Sequence, residues 1–381
     1  MDFELTAEQR MLAESLDRYL AQRYPIQRRH MAAASPLGYD AQIWGELVEL
    51  GAVAALLPAS AGGLGGGFDI ATVFECAGRA LLIEPLLGAL VVGQILQRAD
   101  APDDWAPWLQ RIAAGVVVAL AHQEPDAHYE ASHVATIAQR DAAGWVLDGH
   151  KAVVRHGGQA EGWLVSARLS GAVRDPDGIA LFWVPHDSPG VTVRSYPCID
   201  GGAAAELTLA AARVPPEALV VGPARAAAVL AHGLACGTLA LCAEALGAMT
   251  VAFTHTRDYL QTRHQFGGPI GRFQALQHRL VDLWMAVEQT RSAVINAAAA
   301  LDGDDPGERD RLVSAAKATV GRYAIQLAEE AIQLHGGIGM TWELPLSHYA
   351  KRLVMIDHEF GDEDHHLARF IALSRPRTAL V

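Results

Sequence analysis

The sequence predicts an α+β protein that is mostly α-helical, with one strand-rich segment between two helical segments. Apolar residues keep helical spacing near the N-terminus and again after about residue 225. Between them, short runs rich in Val, Ile, Trp and Thr alternate with turn residues, which is typical of an antiparallel β barrel or sandwich. We therefore predict a helical N-terminal domain over 1–115, a middle β domain over 116–224 and a helical C-terminal domain over 225–381.

Local signals refine this order. Thr6 and Gln9 match a capping box at the start of the first helix. In the middle segment, Asp148-Gly149 is a hairpin signal, so we predict a turn there between two short strands. Near the C-terminus we predict helices over 309–334 and, without interruption, over about 346–373.

Composition limits the classes of protein. Hydrophobic residues make up 51% of the 381 residues, enough for a large core, and the net charge of −13 argues against nucleic acid as a partner. Residues 226–243 lack Asp, Glu, Lys and Arg, but their alanine-rich composition predicts a buried core helix rather than a membrane span.

The cysteines and the N-terminus indicate a cytoplasmic protein. None of the four cysteines forms a CxxC pair, so neither a zinc site nor a disulfide framework is predicted. Met1 to Glu4 show no basic start of a signal peptide. The His- and Asp-rich run over 358–366 lacks a metal-ligand spacing, so we predict no metal and interpret its acidic residues as a helix start.

Two C-terminal segments carry candidate ligand chemistry. RHQFGGPIGRFQALQH, over 263–278, begins with Arg263, whose planar guanidinium suits two pyrophosphate oxygens. Its glycines bring the backbone close to a ligand, and Gln274 and Gln277 can bond a ribose or a ring edge. AIQLHGGIGMTWELP, over 331–345, contains Gly336-Gly337, which can admit a phosphate or simply end a helix. Ordinary surface and cap roles stay open for both.

Together these segments resemble the acyl-CoA dehydrogenase family. The resemblance extends over nearly the whole chain, including Glu124-Pro125 and GWVLDGHK over 144–151. Within the family, stretches such as AHQEP, CAEALGAM and HYAKRLVMIDHEFGDEDHH resemble the subfamily of pimeloyl-CoA dehydrogenase small subunits. The resemblance implies a helical domain, a β domain, a C-terminal four-helix bundle and a tetramer with FAD at a subunit interface.

The resemblance also implies which residues contact FAD. Three match positions that reach the FAD of a neighbouring subunit, three match further adenine-side contacts, and three match contacts near the pyrophosphate. In that order they are Arg263, Gln265 and Phe266; Ile270, Phe273 and Gln274; and Gln333, Gly336 and Gly337.

The expected catalytic base is missing. The family reaction removes a proton α to a thioester and needs a carboxylate base in a dry pocket. The two positions that carry this base in the family correspond to Phe360 and Gly237. Glu359 is shifted by one position, and Glu244 lies about two helical turns beyond Gly237 on the same face. Glu244 is therefore the remaining candidate base, with a structural role as its alternative.

The flavin-facing motifs also depart from the family pattern. Gln123-Glu124-Pro125 replaces Thr-Glu-Pro, and Asp126-Ala127-His128-Tyr129 replaces a Gly-Ala-Gly-Ser turn. The ring-stacking aromatic and hydroxyl are replaced within Val153–Gly158. We therefore predict the base-lacking, FAD-completing subunit of a heteromeric acyl-CoA dehydrogenase, with a larger catalytic subunit as partner and an electron-transfer flavoprotein as acceptor. The alternatives are a self-sufficient dehydrogenase using Glu244 or another base, and a flavin-free acyl-CoA-binding or scaffold subunit. Dicarboxyl-, steroid side-chain and fatty acyl-CoA substrates all stay open.

Overall fold

The computed structural model describes residues 5–375, so the expectation drawn from Met1 to Glu4 lies outside the described residues. Helices precede and follow a central set of strands, as predicted. The helices are α1 (Ala7–Arg23), α2 (Ile26–Ala34), α3 (Ala41–Glu49), α4 (Gly67–Ala80), α5 (Leu86–Leu96), α6 (Pro102–Ala113), α7 (Ala226–Thr262), α8 (Gln274–Leu301), α9 (Pro306–His335), α10 (Leu346–Asp357) and α11 (Glu363–Ser374). The strands are β1 (Val118–Ala121), β2 (Ile137–Arg140), β3 (Trp145–Arg155), β4 (Gly162–Arg168), β5 (Ile179–Pro185), β6 (Val191–Pro197), β7 (Ala203–Val214), β8 (Leu219–Val221), β9 (His264–Gln265) and β10 (Gly268–Pro269).

Two compact units make up the chain, and they divide within α7. The helical unit comprises Met1–Ile26, Gly66–Leu82 and Thr238–Val381, and the sheet unit comprises Gln27–Gly65 and Ile83–Gly237. The predicted capping box is present at the start of α1, where the Gln9 backbone N–H donates to Thr6 Oγ1 at 3.2 Å.

The sheet unit is built around one sheet in the strand order β6-β7-β3-β2-β4-β5-β8, with β1 alongside β4. Most pairs are antiparallel, as predicted, but β1 and β2 both pair with β4 in parallel. Large side chains of this sheet, among them Trp163, Phe182 and Leu207, are fully buried in one apolar cluster. This cluster holds the strands together by excluding water from their inner faces.

The predicted hairpin at Asp148-Gly149 was wrong. β3 runs through both residues and pairs with β7 on either side of a register shift between Leu147 and Gly149. A Cβ at position 149 would lie 2.3 Å from Thr136 Oγ1, so the close approach requires glycine. Asp148 accepts a hydrogen bond from the Ala211 backbone N–H at 2.6 Å. The dipeptide therefore marks an irregularity within one long strand and not a turn.

The helical unit has the part of α7 that begins at Thr238 in its core. Leu239, Leu246 and Met249 of this helix are buried, together with apolar residues of α8, α9 and α10. Within residues 5–375, α7 is the one helix long and apolar enough to cross a bilayer, and 78% of its most apolar window is buried inside the protein. This burial agrees with the predicted core helix.

The predicted continuous helix over 346–373 was also wrong, because α10 and α11 are separate. Phe360 has a φ of 57° and Gly361 a φ of 115°, and neither value is compatible with a right-handed helix. The Asp362 carboxylate then accepts a hydrogen bond from the His365 backbone N–H at 2.8 Å and begins the new helix. The acidic start predicted for this segment is therefore present.

Candidate functional site

A two-stranded hairpin follows α7 directly. β9 and β10 pair antiparallel, and the turn residues Phe266 and Gly267 have φ values of 53° and 80°. Positive φ values at both central residues are typical of a type I′ turn, in which an aromatic residue is rare. Arg272 donates a hydrogen bond to the Phe266 carbonyl and steadies the turn. The Phe266 side chain consequently stands at the hairpin tip and is 82% exposed.

Two exposed glycines follow the end of α9. Gly336 has a φ of 68°, a conformation that favours glycine, and its N–H bonds back to the last turn of the helix. A Cβ built on Gly336 or Gly337 would meet no other part of the described chain within 4 Å. The backbone at both positions is therefore open to a ligand.

The structure brings the hairpin and the two glycines into one neighbourhood. The Tyr259 ring, one turn before the end of α7, stacks on the His335 ring at a centroid separation of 4.4 Å and an interplanar angle of 21°. Five residues before His335, Glu330 Oε2 of α9 accepts a hydrogen bond from Arg279 Nε of α8 at 2.7 Å. We call Arg263, the hairpin that follows it, and Gly336 and Gly337 together the cradle.

The predicted FAD-contacting residues lie at the surface of this cradle. The side chain of Arg263 makes no hydrogen bond or ion pair with any other residue between 5 and 375. A guanidinium without a protein partner and an open glycine backbone form a donor set that fits a dinucleotide diphosphate. All of these residues are exposed except Ile270, which is half-buried: Arg263, Gln265, Phe266, Ile270, Phe273, Gln274, Gln333, Gly336 and Gly337.

The candidate base Glu244 is committed to an ion pair. Arg352 of α10 donates from Nε and Nη2 to the two Glu244 oxygens at 2.6 and 2.7 Å. The Nη1 of the same guanidinium donates to Glu359. All three side chains are buried. Because both Glu244 oxygens already accept from Arg352, the geometry favours the structural role of Glu244 over a role as base.

No carboxyl group occupies either of the positions at which the family resemblance implies a base. Gly237 is buried within α7, and Phe360 is half-buried in the turn between α10 and α11. That turn is held by Lys317, which is 0% exposed and donates to the carbonyls of Asp357, at 2.8 Å, and of Gly361. Burial lowers the pKa of Lys317 and raises the pKa of the Asp357 carboxyl. Buried hydrogen bonds from Lys317 therefore hold the turn, and no carboxylate stands at position 360.

The sheet unit contains a second buried ionic network. Lys151, 0% exposed, donates to Glu124 Oε1 at 2.7 Å, to Ser166 Oγ at 3.1 Å and to the His122 carbonyl at 3.3 Å. Glu124 also accepts from the Thr136 hydroxyl at 2.6 Å. Burial opposes ionisation of Glu124, but the Lys151 charge and the hydrogen bonds from Lys151, Thr136 and Ala135 together outweigh it and lower the pKa of Glu124 to about 2. Burial lowers the pKa of Lys151 to about 8.

The altered flavin-facing segments have an unusual backbone. Val153, His128 and Tyr129 have φ values of 52°, 47° and 69°, in the left-handed region that non-glycine residues rarely adopt. Arg155 lies 3.8 Å from the buried Asp200 carboxylate. His156 Nε2 lies 2.9 Å from the Ile83 carbonyl. The side chains that replace the family pattern at 155 and 156 are thus engaged within the protein.

The described part of the chain contains no group of three or more His, Cys, Asp or Glu side chains placed to hold a metal ion. In the His- and Asp-rich run, Asp362 caps α11 and His366 Nε2 lies 3.0 Å from the Phe360 carbonyl.

The helical, strand and helical order of the chain, together with its exposed arginine and open glycines, is compatible with a protein that binds a nucleotide cofactor. Models of the acyl-CoA dehydrogenase N-terminal, middle and C-terminal domains match residues 6–116, 119–212 and 227–369. The chain belongs to the acyl-CoA dehydrogenase family, whose members are FAD-binding oxidoreductases.

Individual relatives agree with this assignment. Acyl-CoA dehydrogenase FadE12 of Mycobacterium tuberculosis is 31% identical over 80% of each chain. The 3-sulfinopropanoyl-CoA desulfinase of Paraburkholderia xenovorans is 32% identical over 90% of each chain. Among solved structures, the ChsE4-ChsE5 complex from Mycobacterium tuberculosis matches with a TM-score of 0.88 and 25% identity, covering 99% of this chain and 100% of that one.

Sequence reasoning missed the residues that support the site. Arg352 was not identified as the partner of Glu244, although a Glu in an apolar, alanine-rich helix requires a cationic partner if it is buried. Tyr259 and His335 were also missed. Two features of the sequence could have indicated them: an aromatic ring one helical turn before Arg263, and another immediately before Gly336.

Proposed function

We propose that this chain is the base-lacking, FAD-completing subunit of a heteromeric acyl-CoA dehydrogenase. Its cradle holds the diphosphate and adenine side of an FAD whose ring lies in a larger, catalytic subunit. That subunit supplies the carboxylate that removes the proton α to the acyl-CoA thioester. Bound FAD supplies the acceptor for the β-hydride, and an electron-transfer flavoprotein then receives the electrons.

One contrast carries this proposal. The Arg263 guanidinium is exposed and has no partner within residues 5–375, whereas both oxygens of Glu244 accept hydrogen bonds from Arg352. Glu359 is bound by the same guanidinium. The chain thus has a group available for an anionic cofactor, but both of its candidate carboxylates are engaged.

Two further observations support the proposal. The ChsE4-ChsE5 structure is a complex of two proteins, so a relative at 25% identity assembles with a second chain. In the sheet unit, Arg155 and His156 stand where the family resemblance implies flavin-facing residues, and both are engaged within the protein. The cysteines, all with free thiols, fit a cytoplasmic enzyme.

The test is the flavin content of the chain alone and of its complex with a co-expressed larger family member. We expect the chain alone to lack flavin absorbance, and the complex to hold one FAD per pair of chains that bleaches with acyl-CoA. Arg263→Ala should raise the FAD dissociation constant of the complex about 10- to 100-fold, the effect of losing a charged hydrogen bond.

Arg322→Ala is the matched control, because Arg322 is an exposed arginine of the same unit whose guanidinium already pairs with Glu363. It should leave FAD affinity unchanged. Full flavin occupancy and bleaching in the chain alone would instead establish a self-sufficient dehydrogenase. A complex without flavin would establish a scaffold or acyl-CoA-binding role.

A further inference from the structure

The two motifs of the cradle are far apart in sequence, and a ring stack links the helix ends that precede them. Arg263 follows the end of α7, whereas Gly336 follows the end of α9. Between these helix ends lies the stack of the Tyr259 and His335 rings, with nearly parallel planes. The nearby Arg279–Glu330 pair is partly exposed, and ion pairs of that kind contribute little to stability.

Each ring is tied to the backbone of one motif. The Tyr259 carbonyl accepts a hydrogen bond from the Arg263 N–H at 2.8 Å, so Tyr259 belongs to the helical turn from which Arg263 projects. His335 is the last residue of α9, and its Nδ1 lies 2.8 Å from the Ala331 carbonyl. That contact fixes the orientation of the His335 ring, and His335 is the residue immediately before Gly336. The stack therefore sets the position of one motif relative to the other.

Besides the hydrogen bond from Arg272 to the Phe266 carbonyl, the hairpin is supported by contacts at its base. Residues 264–267 are exposed, and the hairpin is closed at its base by the hydrogen bond from the Ile270 N–H to the Arg263 carbonyl, at 2.9 Å. Gly271 packs so closely on α7 that a Cβ there would lie 2.8 Å from the Leu260 carbonyl. The hairpin thus follows the end of α7, and the Tyr259–His335 stack connects that end to the glycines.

We infer that Tyr259 and His335 are positioning residues that hold Arg263 and the Gly336-Gly337 backbone at the spacing of one dinucleotide diphosphate. The inference rests on the proposed function, because the diphosphate is that of FAD. Neither ring needs to touch the cofactor. Their contribution is to reduce the ordering that binding would otherwise require, which strengthens binding without a new contact.

The test measures FAD affinity in the complex of the full chain with its larger partner, by flavin fluorescence during titration with FAD. Tyr259→Leu and His335→Leu each remove one ring, and we expect each to raise the FAD dissociation constant roughly threefold to tenfold, the range for losing an aromatic pair. Tyr259→Phe keeps the ring and should stay close to the unchanged protein, whereas His335→Phe keeps a ring but loses the Nδ1 contact with Ala331 and should lie between the unchanged protein and His335→Leu. At saturating FAD, kcat should be unaltered in all four variants.

Tyr349→Leu is the control for loss of core packing. Tyr349 is a buried tyrosine of the same unit that meets His255 edge to face, and its hydroxyl donates to the Arg79 carbonyl at 2.5 Å. This variant should lower the melting temperature and leave FAD affinity unchanged. If Tyr259→Leu does not fold, His335→Leu decides the question.

The outcomes separate the inference from the function on which it rests. If both leucine variants bind FAD normally while Arg263→Ala binds it weakly, the positioning role is wrong and the proposed function stands. If Arg263→Ala also binds FAD normally, both the positioning role and the proposed function are wrong. Equal weakening by the leucine and phenylalanine variants would overturn the requirement for a stacked ring.

Discussion

The cradle of the helical unit and the buried ionic network around Lys151 in the sheet unit, here called the strand network, use charged side chains in opposite ways. Arg263 is exposed and has no partner within residues 5–375. Lys151, by contrast, is fully buried and donates to Glu124, Ser166 and the His122 carbonyl. A buried group with satisfied hydrogen bonds loses them if a ligand recruits it, whereas an exposed group only exchanges water. The difference supports the proposal that the cradle receives an external anion.

The same contrast separates the two parts of the site that the family resemblance implies. In the cradle, the residues expected to contact FAD are at the surface and Gly336 and Gly337 face open space. In the sheet unit, Arg155 lies beside buried Asp200, and Val153 holds a strained left-handed conformation. Under the proposed function, one part of the cofactor site is retained, and the other is replaced by contacts within the chain.

The largest expected effect comes from breaking the buried pair of the sheet unit. Lys151→Met leaves the Glu124 carboxylate buried without its cation, and loss of one partner from a buried pair costs about 3–5 kcal/mol. We expect the free energy of unfolding, measured in urea, to fall by that amount. The double variant Lys151→Met with Glu124→Gln should recover part of the loss, because no unpaired charge remains.

A surface pair of the same sheet provides the control for this prediction. Arg194 Nη2 lies 2.7 Å from Glu206 Oε2, and the Arg194 side chain is 69% exposed. Arg194→Ala should cost less than about 1 kcal/mol, as exposed pairs do. Equal losses for Lys151→Met and Arg194→Ala would contradict the assignment of Lys151 to a buried structural network.

A smaller effect is expected from acidification, again in the sheet unit. Burial, together with the Lys151 charge, lowers the pKa of His122 from 6.5 to about 3. Between pH 6.5 and about pH 3, His122 binds a proton in the unfolded chain but not in the folded chain. The free energy of unfolding therefore falls as the pH falls. The slope from this one group approaches about 1.4 kcal/mol per pH unit. Below pH 4.5 Glu124 adds to it, because its pKa is lowered to about 2.

His122→Gln tests this slope. Unfolding free energies measured between pH 7 and 5, on either side of the ordinary His value of 6.5, should show a weaker dependence on pH in the variant. His358→Gln, at an exposed position of the helical unit, should leave the dependence unchanged. An unaltered slope in His122→Gln would mean that His122 is not held neutral by its surroundings.

The sequence predicted features that depend on neighbouring residues and missed those that depend on distant ones. The capping box of Thr6 and Gln9 was predicted because it depends on residues three positions apart. Arg263 and Gly336 stay candidate FAD contacts, chosen on local motifs that resemble the family. The bond between Glu244 and Arg352 joins α7 to α10, and no local pattern specifies such a pairing. Asp148-Gly149 failed for a related reason, since only the approach of Thr136 decides between a turn and a strand irregularity.

The smallest expected effect is the loss of Arg263 from the protein without FAD. Arg263 is exposed and unpartnered within the described chain, so Arg263→Ala should change the free energy of unfolding by no more than about 0.5 kcal/mol. Adding FAD to the complex should then raise the melting temperature of the unchanged protein more than that of the variant, because a ligand stabilises the state it binds. A large loss of stability without FAD would show that Arg263 is a structural residue, and the contrast between the cradle and the strand network would no longer hold.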